Sequence, residues 1–193
     1  MALFATQLAM GFALAASVGL RAFLPLLVAG VLARQGYLSL GESFQWMSTT
    51  PALIVFGSAV VFEVLGDKVP GLDHMLDAGG VFVKPVAGTL LAASLFTTLD
   101  PLAAATLGLV GGGAIAGVVA AAKGTTRLAS TGTTAGFANP LLSLFEDGAA
   151  VGGIALAFVI PVIAAVLALA LLVYCAVKLT RGMRRRSRAS PAP

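Results

Sequence analysis

The sequence predicts an all-α protein, a bundle of transmembrane helices with five or six crossings. Three observations predict it. Hydrophobic residues make up 59% of the 193 residues and charged residues only 10%, whereas soluble domains have about a quarter of their residues charged. Apolar runs long enough to cross a bilayer recur along the chain. Glycine is abundant, with 23 residues, which suits closely packed membrane helices.

The candidate spans follow from the apolar runs. They cover residues 3–33, 51–66, 85–99, 101–122 and 149–177. Pro51, Pro85 and Pro101 are each expected at the first position of a helix, where a missing N–H costs nothing. The last run is long, and Pro161 is expected to kink it. The polar segment 67–84 is predicted to be a loop between spans. Segment 123–136 is predicted to be a loop or, as an alternative, a segment at membrane depth that protein shields from lipid. Segment 35–50, with Tyr37 and Trp46, is predicted to be interfacial.

The first apolar run is too long for one straight crossing. At about 1.5 Å per residue it exceeds a bilayer core of about 30 Å. Its stretch GLRAFLPLL (19–27) contains Arg21 and Pro25, so a broken or re-entrant helix is predicted near 21–33. A second is predicted near 127–145, where TTAGFANPLLSLFED (133–147) carries the same Phe…Pro-Leu-Leu pattern.

The two broken elements suggest an internal repeat. GFALAASVGLR (11–21) and GVVAAAKGTTR (117–127) share a first Gly, an Ala-Ala pair and a final Arg at the same offsets. The repeats would cover 3–66 and 101–177, and an odd number of spans between them would make them inverted. Inverted repeats whose broken helices meet near the membrane midplane are typical of secondary transporters.

The C-terminal tail sets the expected orientation. Half of the 12 Lys and Arg residues lie within 178–188, directly after an apolar run. The positive-inside rule then places the C-terminus in the cytoplasm, with the Arg-rich tail near anionic lipid headgroups. We therefore predict a transmembrane domain over 1–178 and a disordered basic tail over 179–193, with the lipid bilayer and no nucleic acid as partner. The first ten residues contain no Lys or Arg, so a retained first helix is expected rather than a cleaved signal peptide.

Three motifs in order resemble a known family. GLRAFLPLL, then DKVPGLDHMLD followed by FVKPVAG, then GFANPLLSLFED are similar to a family of small bacterial integral-membrane proteins classed as a domain of unknown function (DUF4126). The resemblance covers most of 8–177. It implies a multi-helix protein of the bacterial cytoplasmic membrane and brings no activity with it. Lys84 stands where the family motif leads us to expect Arg, which keeps the charge and loses the bidentate fork.

Charged residues beside apolar runs are the first candidates for function. Arg21 and Arg127 either extend toward lipid headgroups or face a polar cavity at a broken helix. Glu63 either pairs with Lys68 at the interface or lies inside the bundle, with Arg21 as its partner. In the second interpretation Arg21 and Arg127 attract an anionic group and Glu63 is a coupling or gating carboxylate.

The second broken element supplies further candidates. Asn139 and Pro140 offer an amide and a freed carbonyl for a ligand, or they mark the start of a helix. Glu146 is a candidate for the ion or substrate pathway, and with Asp147 it could complement the dipole of a following helix.

The 67–77 segment is a weaker candidate for a cation site. Asp67, Asp73, His74 and Asp77 supply oxygen and nitrogen atoms, but their spacing fits no calcium-loop pattern, and solvated loop charges are the alternative. One His and one Cys exclude a zinc site built on several imidazoles. We expect no metal, no cofactor and no enzyme activity, with a lipid-modifying enzyme that uses this segment as the alternative.

Glycines of the span after Pro101 indicate a close helix contact. Gly108, Gly112, Gly113 and Gly117 form two GxxxG pairs, which suit packing within the bundle or between protomers of a homo-oligomer. The paired broken helices, together with the charged residues beside the apolar runs, predict a small-solute or ion transporter or channel-like protein. The alternative is a structural or lipid-organising membrane protein without transport.

Overall fold

The computed structural model describes residues 2–69 and 72–161, with isolated positions between 163 and 177. Within these residues the chain is helical and has no strand. The helices are α1 (Ala2–Leu20), α2 (Phe23–Arg34), α3 (Thr50–Gly66), α4 (Leu72–Ser94), α5 (Pro101–Leu107), α6 (Ala114–Thr134) and α7 (Asn139–Val159). A 3₁₀ segment covers Glu42–Ser48, and a π-helical segment, Gly108–Gly113, joins α5 to α6.

Four helices of the described chain are long and apolar enough to cross a membrane. They are α1, the Met75–Ser94 part of α4, the continuous Pro101–Thr134 helix and α7. The Glu42–Ser48 segment and α3, bent by 63°, give a fifth candidate if they form one span. The predicted all-α transmembrane bundle is confirmed, and the chain is a multi-pass membrane protein.

The first predicted break lies between α1 and α2. α1 ends at Leu20, and α2 begins at Phe23 after Arg21 and Ala22. At 12 residues and about 1.5 Å per residue, α2 is too short to cross a bilayer core. Pro25 is buried in its first turn, where its missing N–H is not needed. The 3₁₀ segment that follows includes Trp46, about half exposed.

Two predicted loops are helical instead. α4 begins at Leu72, so Pro85 lies inside the helix and not at its start. α6 continues to Thr134, although 123–134 is rich in Thr, Gly and Ser. Helix propensity is a weak preference that tertiary contacts override, and both misread segments carry buried charged side chains, Lys84 on α4 and Lys123 and Arg127 on α6.

The last span also differs from its prediction. α7 begins at Asn139, ten residues before the predicted 149. The turn before it has positive φ angles at Ala135 and Gly136, so the predicted break in 127–145 is a tight turn between two long helices. α7 ends at Val159, and Ile160 is not helical, as expected for the residue before Pro161. The rest of the predicted 149–177 span lies largely outside the described residues.

The glycines of the 108–117 region pack within the chain. A Cβ on Gly112 would lie 2.5 Å from the carbonyl oxygen of Gly88 in α4, and a Cβ on Gly88 would lie 2.8 Å from that of Gly112. Gly113 faces Thr89 and Pro85 of α4, and Gly117 also faces Pro85. The two helices therefore touch backbone to backbone, which only residues without a side chain permit.

Helix α1 is at the centre of the bundle. It packs against α4, α6 and α7, and Leu14 and Val18 are completely buried. Many apolar side chains on the outer surface are exposed, such as Leu102, Val110 and Phe145, as expected for faces in contact with lipid. This arrangement places Arg21, directly after α1, between α6, α7 and the end of α3.

Candidate functional site

A buried ionic cluster lies where α1 ends. Its centre is Asp67, the residue after α3, whose Oδ2 atom accepts hydrogen bonds from three cations. Arg21 Nη1 lies at 2.5 Å, Arg127 Nη2 at 3.0 Å and Lys123 Nζ at 3.1 Å. Asp67, Arg21, Arg127 and Lys123 are all buried, so these charges interact in a low local dielectric.

The three cations determine the ionisation of Asp67. Burial by itself raises the pKa of a carboxyl group, but the positive charges of Lys123, Arg21 and Arg127 outweigh burial and lower the pKa of Asp67 below its usual value. Asp67 is therefore ionised at neutral pH.

Helix α7 supplies two further carboxylates. Glu146 Oε2 lies 2.6 Å from Arg127 Nη2 and 3.3 Å from Lys123 Nζ. Asp147 Oδ1 lies 2.5 Å from Arg21 Nη2, and Ser143 Oγ accepts a hydrogen bond of 2.9 Å from the same nitrogen. Residues three and four apart share one helix face, so α7 presents all three side chains together. Because Glu146 and Asp147 lie inside α7, the predicted role at a helix start is wrong.

Helix α4 adds two charged side chains, Asp77 and Lys84, that make longer ionic contacts. Asp77 lies 3.5 Å from Lys123 and 3.6 Å from Arg127, and Lys84 Nζ lies 4.0 Å from Asp77. All three distances are longer than those around Asp67 and Glu146. Asp77 and Lys84 are therefore the members of the cluster with the weakest ionic contacts.

The cluster bears on the two interpretations of Arg21 and Arg127, contact with lipid headgroups or a position inside the bundle. Both residues are 0% exposed, so neither extends toward lipid headgroups. They converge on one carboxylate, Asp67, which lies in a segment that the sequence predicts to be a loop. Sequence reasoning missed Lys123, Ser143, Asp147 and Lys84 as members of this cluster. Lys123 and Arg127 are four residues apart, a helical spacing that would have paired them had 123–134 been read as helix.

Glu63 has a different role from either predicted one. Its Oε1 accepts a hydrogen bond of 2.9 Å from the backbone N–H of Ala22, and its Oε2 accepts one of 3.4 Å from that of Phe23. Arg21 donates to the backbone carbonyl of Glu63, while Lys68 lies near Asp147. The predicted Glu63–Lys68 and Glu63–Arg21 side-chain pairs are thus wrong. Glu63 satisfies free N–H groups at the start of α2, where a negative charge also complements the helix dipole.

We expect Glu63→Gln to destabilise the protein mildly. Glutamine keeps one acceptor for the α2 N–H groups but loses the charge and the second acceptor, a change comparable to losing a helix cap, about 0.5–2 kcal/mol. Thermal unfolding in detergent, with exposed Glu42→Gln as the matched control, measures the difference. Loss of all folded protein in Glu63→Gln would instead indicate a buried pair with Arg21.

Asn139 and Pro140 lie at the start of α7. Pro140 occupies the first turn of α7, which agrees with the helix-start alternative. Asn139 is buried, and its Nδ2 donates a hydrogen bond of 3.1 Å to Thr131 Oγ1 of α6. This bond fixes the α6–α7 turn, because it links residues on both sides of it.

The predicted cation site in 67–77 receives no support. Asp67 and Asp77 contact cationic side chains, and the side chains of Asp73 and His74 lie outside the described part of the structure. Among the residues described, no group of three or more His, Cys, Asp or Glu side chains is arranged to hold a metal ion.

A cavity of about 170 Å³ adjoins the cluster between α2, α3, α4 and α6. Its charged lining residues are Glu63, Asp67, Asp77, Lys84 and Lys123. Its lining includes Phe62, Met75 and Val83, which are exposed on the outer surface. A single water needs roughly 10–15 Å³ of such volume, so the cavity can hold several waters or one small ion.

Fold and site together define a multi-pass helical membrane protein with a buried ionic cluster beside a small cavity. The chain belongs to the family described as domain of unknown function (DUF4126), whose model matches residues 8–181. This confirms the resemblance of the three motifs. No curated protein and no solved structure matches the chain.

Proposed function

We propose that this protein is a small-solute or ion transporter, or a channel-like protein, whose site is the ionic cluster and the adjoining cavity. The observation that carries the proposal is the placement of charged side chains from α4 and α6, two candidate spans, at the wall of this cavity. Ionisable groups inside a membrane protein are costly, and they commonly mark substrate or ion pathways.

The residues that we assign to the pathway differ from those that the sequence predicts. Arg21 and Arg127 are held by Asp67, Asp147 and Glu146 at 2.5–3.0 Å, so they do not offer a free positive charge to an anion. Glu63 holds the start of α2. Asp77 and Lys84 line the cavity with contacts of 3.5 Å or more. These two side chains can change partners at the lowest cost, and we assign the passage of an ion to them.

Asp77→Asn tests the proposal. Because Asp77 makes only long ionic contacts, the variant is expected to fold. Ion or solute flux is expected to fall about tenfold or more, because Lys84 loses the carboxylate that takes the place of the solute as its partner, a charged contact of about 1.5–3 kcal/mol. The ion and metabolite profile of a deletion strain selects the solutes, and flux is then measured in proteoliposomes. Glu42→Gln, an exposed carboxylate on the 3₁₀ segment, is the control. Unchanged flux in Asp77→Asn would contradict the assignment.

A structural or lipid-organising role is the second candidate. It is supported by the ion pairs themselves, because they join α6, α7, the α1–α2 break and the end of α3. For this role the deletion strain would show an unaltered ion and metabolite profile, and Asp77→Asn would be silent. The flux experiment therefore separates the two candidates.

We further propose the bacterial cytoplasmic membrane as the location, with a cytoplasmic C-terminus. The support is the basic composition of 178–193 and the positive-inside rule; this tail, with its predicted contact to anionic headgroups, lies outside the described residues. A homo-oligomer through the Gly108–Gly117 span stays a prediction. It would use exposed side chains such as Leu109 and Val110, because the glycine face already contacts α4.

A further inference from the structure

Lys84 is a buried cation that the described residues do not satisfy. Its side chain is 4% exposed, and its closest carboxylate oxygen, Asp77 Oδ1, lies 4.0 Å from Nζ. Within the described chain no acceptor lies within hydrogen-bonding distance of this ammonium group. A lysine ammonium carries three donors, and a buried charge without hydrogen bonds is costly. The cavity in front of it must therefore supply acceptors.

The carboxylates of the cavity have closer partners than Lys84. Glu63 accepts hydrogen bonds from the start of α2, and Asp67 accepts three from cations. Asp77 is closer to Lys123, at 3.5 Å, and to Arg127, at 3.6 Å, than to Lys84. Two cations, Lys84 and Lys123, line the cavity. Lys123 is held by Asp67 at 3.1 Å and by Glu146 at 3.3 Å, whereas Lys84 has its closest carboxylate at 4.0 Å. Lys84 is therefore the lining cation that is left to bind a ligand.

We propose that Lys84 binds a small monovalent anion in this cavity, either a halide or the carboxylate of a short monocarboxylate. The inference rests on the proposed function and names its substrate class. The volume of about 170 Å³ fits one such anion with a few waters. Ala59, Phe62, Leu76 and Val83 give the cavity apolar walls, which suit a weakly hydrated anion or a methyl group. A single ammonium is a point charge and does not require a planar bidentate ligand.

Anion-dependent thermal unfolding tests this site. The protein is purified in detergent in gluconate buffer, and bromide, formate or acetate replaces gluconate at constant ionic strength and pH. A ligand that binds the folded state raises the unfolding midpoint with its concentration, so the wild-type midpoint is expected to rise. In Lys84→Met the apparent affinity is expected to fall about tenfold or more. The control is Arg34→Met, which removes an exposed cation that donates a hydrogen bond to Thr50. The unfolding midpoint of this variant should respond to the anions as that of the wild type does.

Equal responses in wild type and Lys84→Met would overturn the proposal, as would a wild type without any response. If Lys84→Met does not fold, the anion preference of Lys84→Arg tests the site instead. The guanidinium pairs with both oxygens of a carboxylate, so the preference for formate over bromide is expected to increase several-fold. An unchanged preference would overturn the proposal.

The anion site and the transport function can be contradicted independently of each other. Binding in detergent together with absent flux would contradict transport and leave the anion site standing. Flux in proteoliposomes combined with a Lys84→Met protein that binds bromide normally would contradict the anion site and leave transport standing.

Discussion

Asp67→Asn is expected to remove about 3–5 kcal/mol of folding free energy, the cost of breaking a buried ion pair from one side. The carboxylate of Asp67 faces three buried cations, and asparagine would leave them short of one negative charge. We expect little folded protein in detergent, measured as monodisperse yield and as the midpoint of thermal unfolding.

A double variant shows that charge, and not shape, causes this loss. Asp67→Asn with Lys123→Met removes one of the unbalanced cations and is expected to recover part of the stability. Glu42→Gln, on the exposed 3₁₀ segment, should change the midpoint little. If Asp67→Asn unfolds like Glu42→Gln, the three cations are satisfied without Asp67 and the cluster has another centre.

The same residue gives a pH dependence of stability. The pKa of Asp67 is lowered in the folded protein, so its contribution is fully present above the unfolded value of about 3.9. The contribution is lost as the pH falls through the folded-state pKa, because the unfolded chain then binds the proton more readily. Asp67→Asn lacks this component, and the difference between the two proteins should shrink in acid.

Gly112→Leu is expected to prevent folding of the bundle. A Cβ alone would lie 2.5 Å from both Gly88 O and Ala92 Cβ, and the other leucine atoms have no space between α4 and the π-helical segment. Overpacking costs about 1–3 kcal/mol for small insertions and more for large ones. Gly112→Ala should therefore show an intermediate loss in the midpoint of thermal unfolding.

Gly148→Ala is the matched control for Gly112→Ala. Gly148 also lies inside a helix, but a Cβ there meets nothing within 4 Å. Replacing a helical glycine by alanine in open space is neutral or stabilising, by up to about 1 kcal/mol. Equal effects of the two substitutions would show that α4 and the glycine segment do not touch as described.

Composition and apolar runs were enough to predict the fold class, the break after α1 and the close glycine contact. The predicted helix bounds were wrong where the sequence is polar. The segments 72–84 and 123–134 contain Gly, Thr, Lys and Asp, which local rules assign to loops, yet both are helical. Their charged side chains face other charges inside the bundle, and that partnership is a tertiary property.

The sequence predicted several residues of the candidate site, but it did not predict which of them form ion pairs with each other. Arg21, Arg127 and Glu146 stood out because each follows or interrupts an apolar run. Asp67, the common partner of Arg21 and Arg127, was predicted only for a weaker cation site, because it lies in a short polar segment that looks solvated. The function of Glu63 could not be inferred either, because it depends on the backbone N–H groups exposed by the break between α1 and α2.

The long sequence separations within the cluster impose an order on biosynthesis. Arg21 and Asp67 are 46 residues apart, whereas Arg127 joins them from 60 residues beyond Asp67. Glu146 is made a further 19 residues later, about one to four seconds at 5–20 residues per second. During that interval the newly made Lys123 and Arg127 have Asp67 and Asp77 but lack the carboxylates of α7. Until α7 is made, the cluster therefore carries an excess of positive charge, and its full set of ion pairs can form only after the last of these helices is complete.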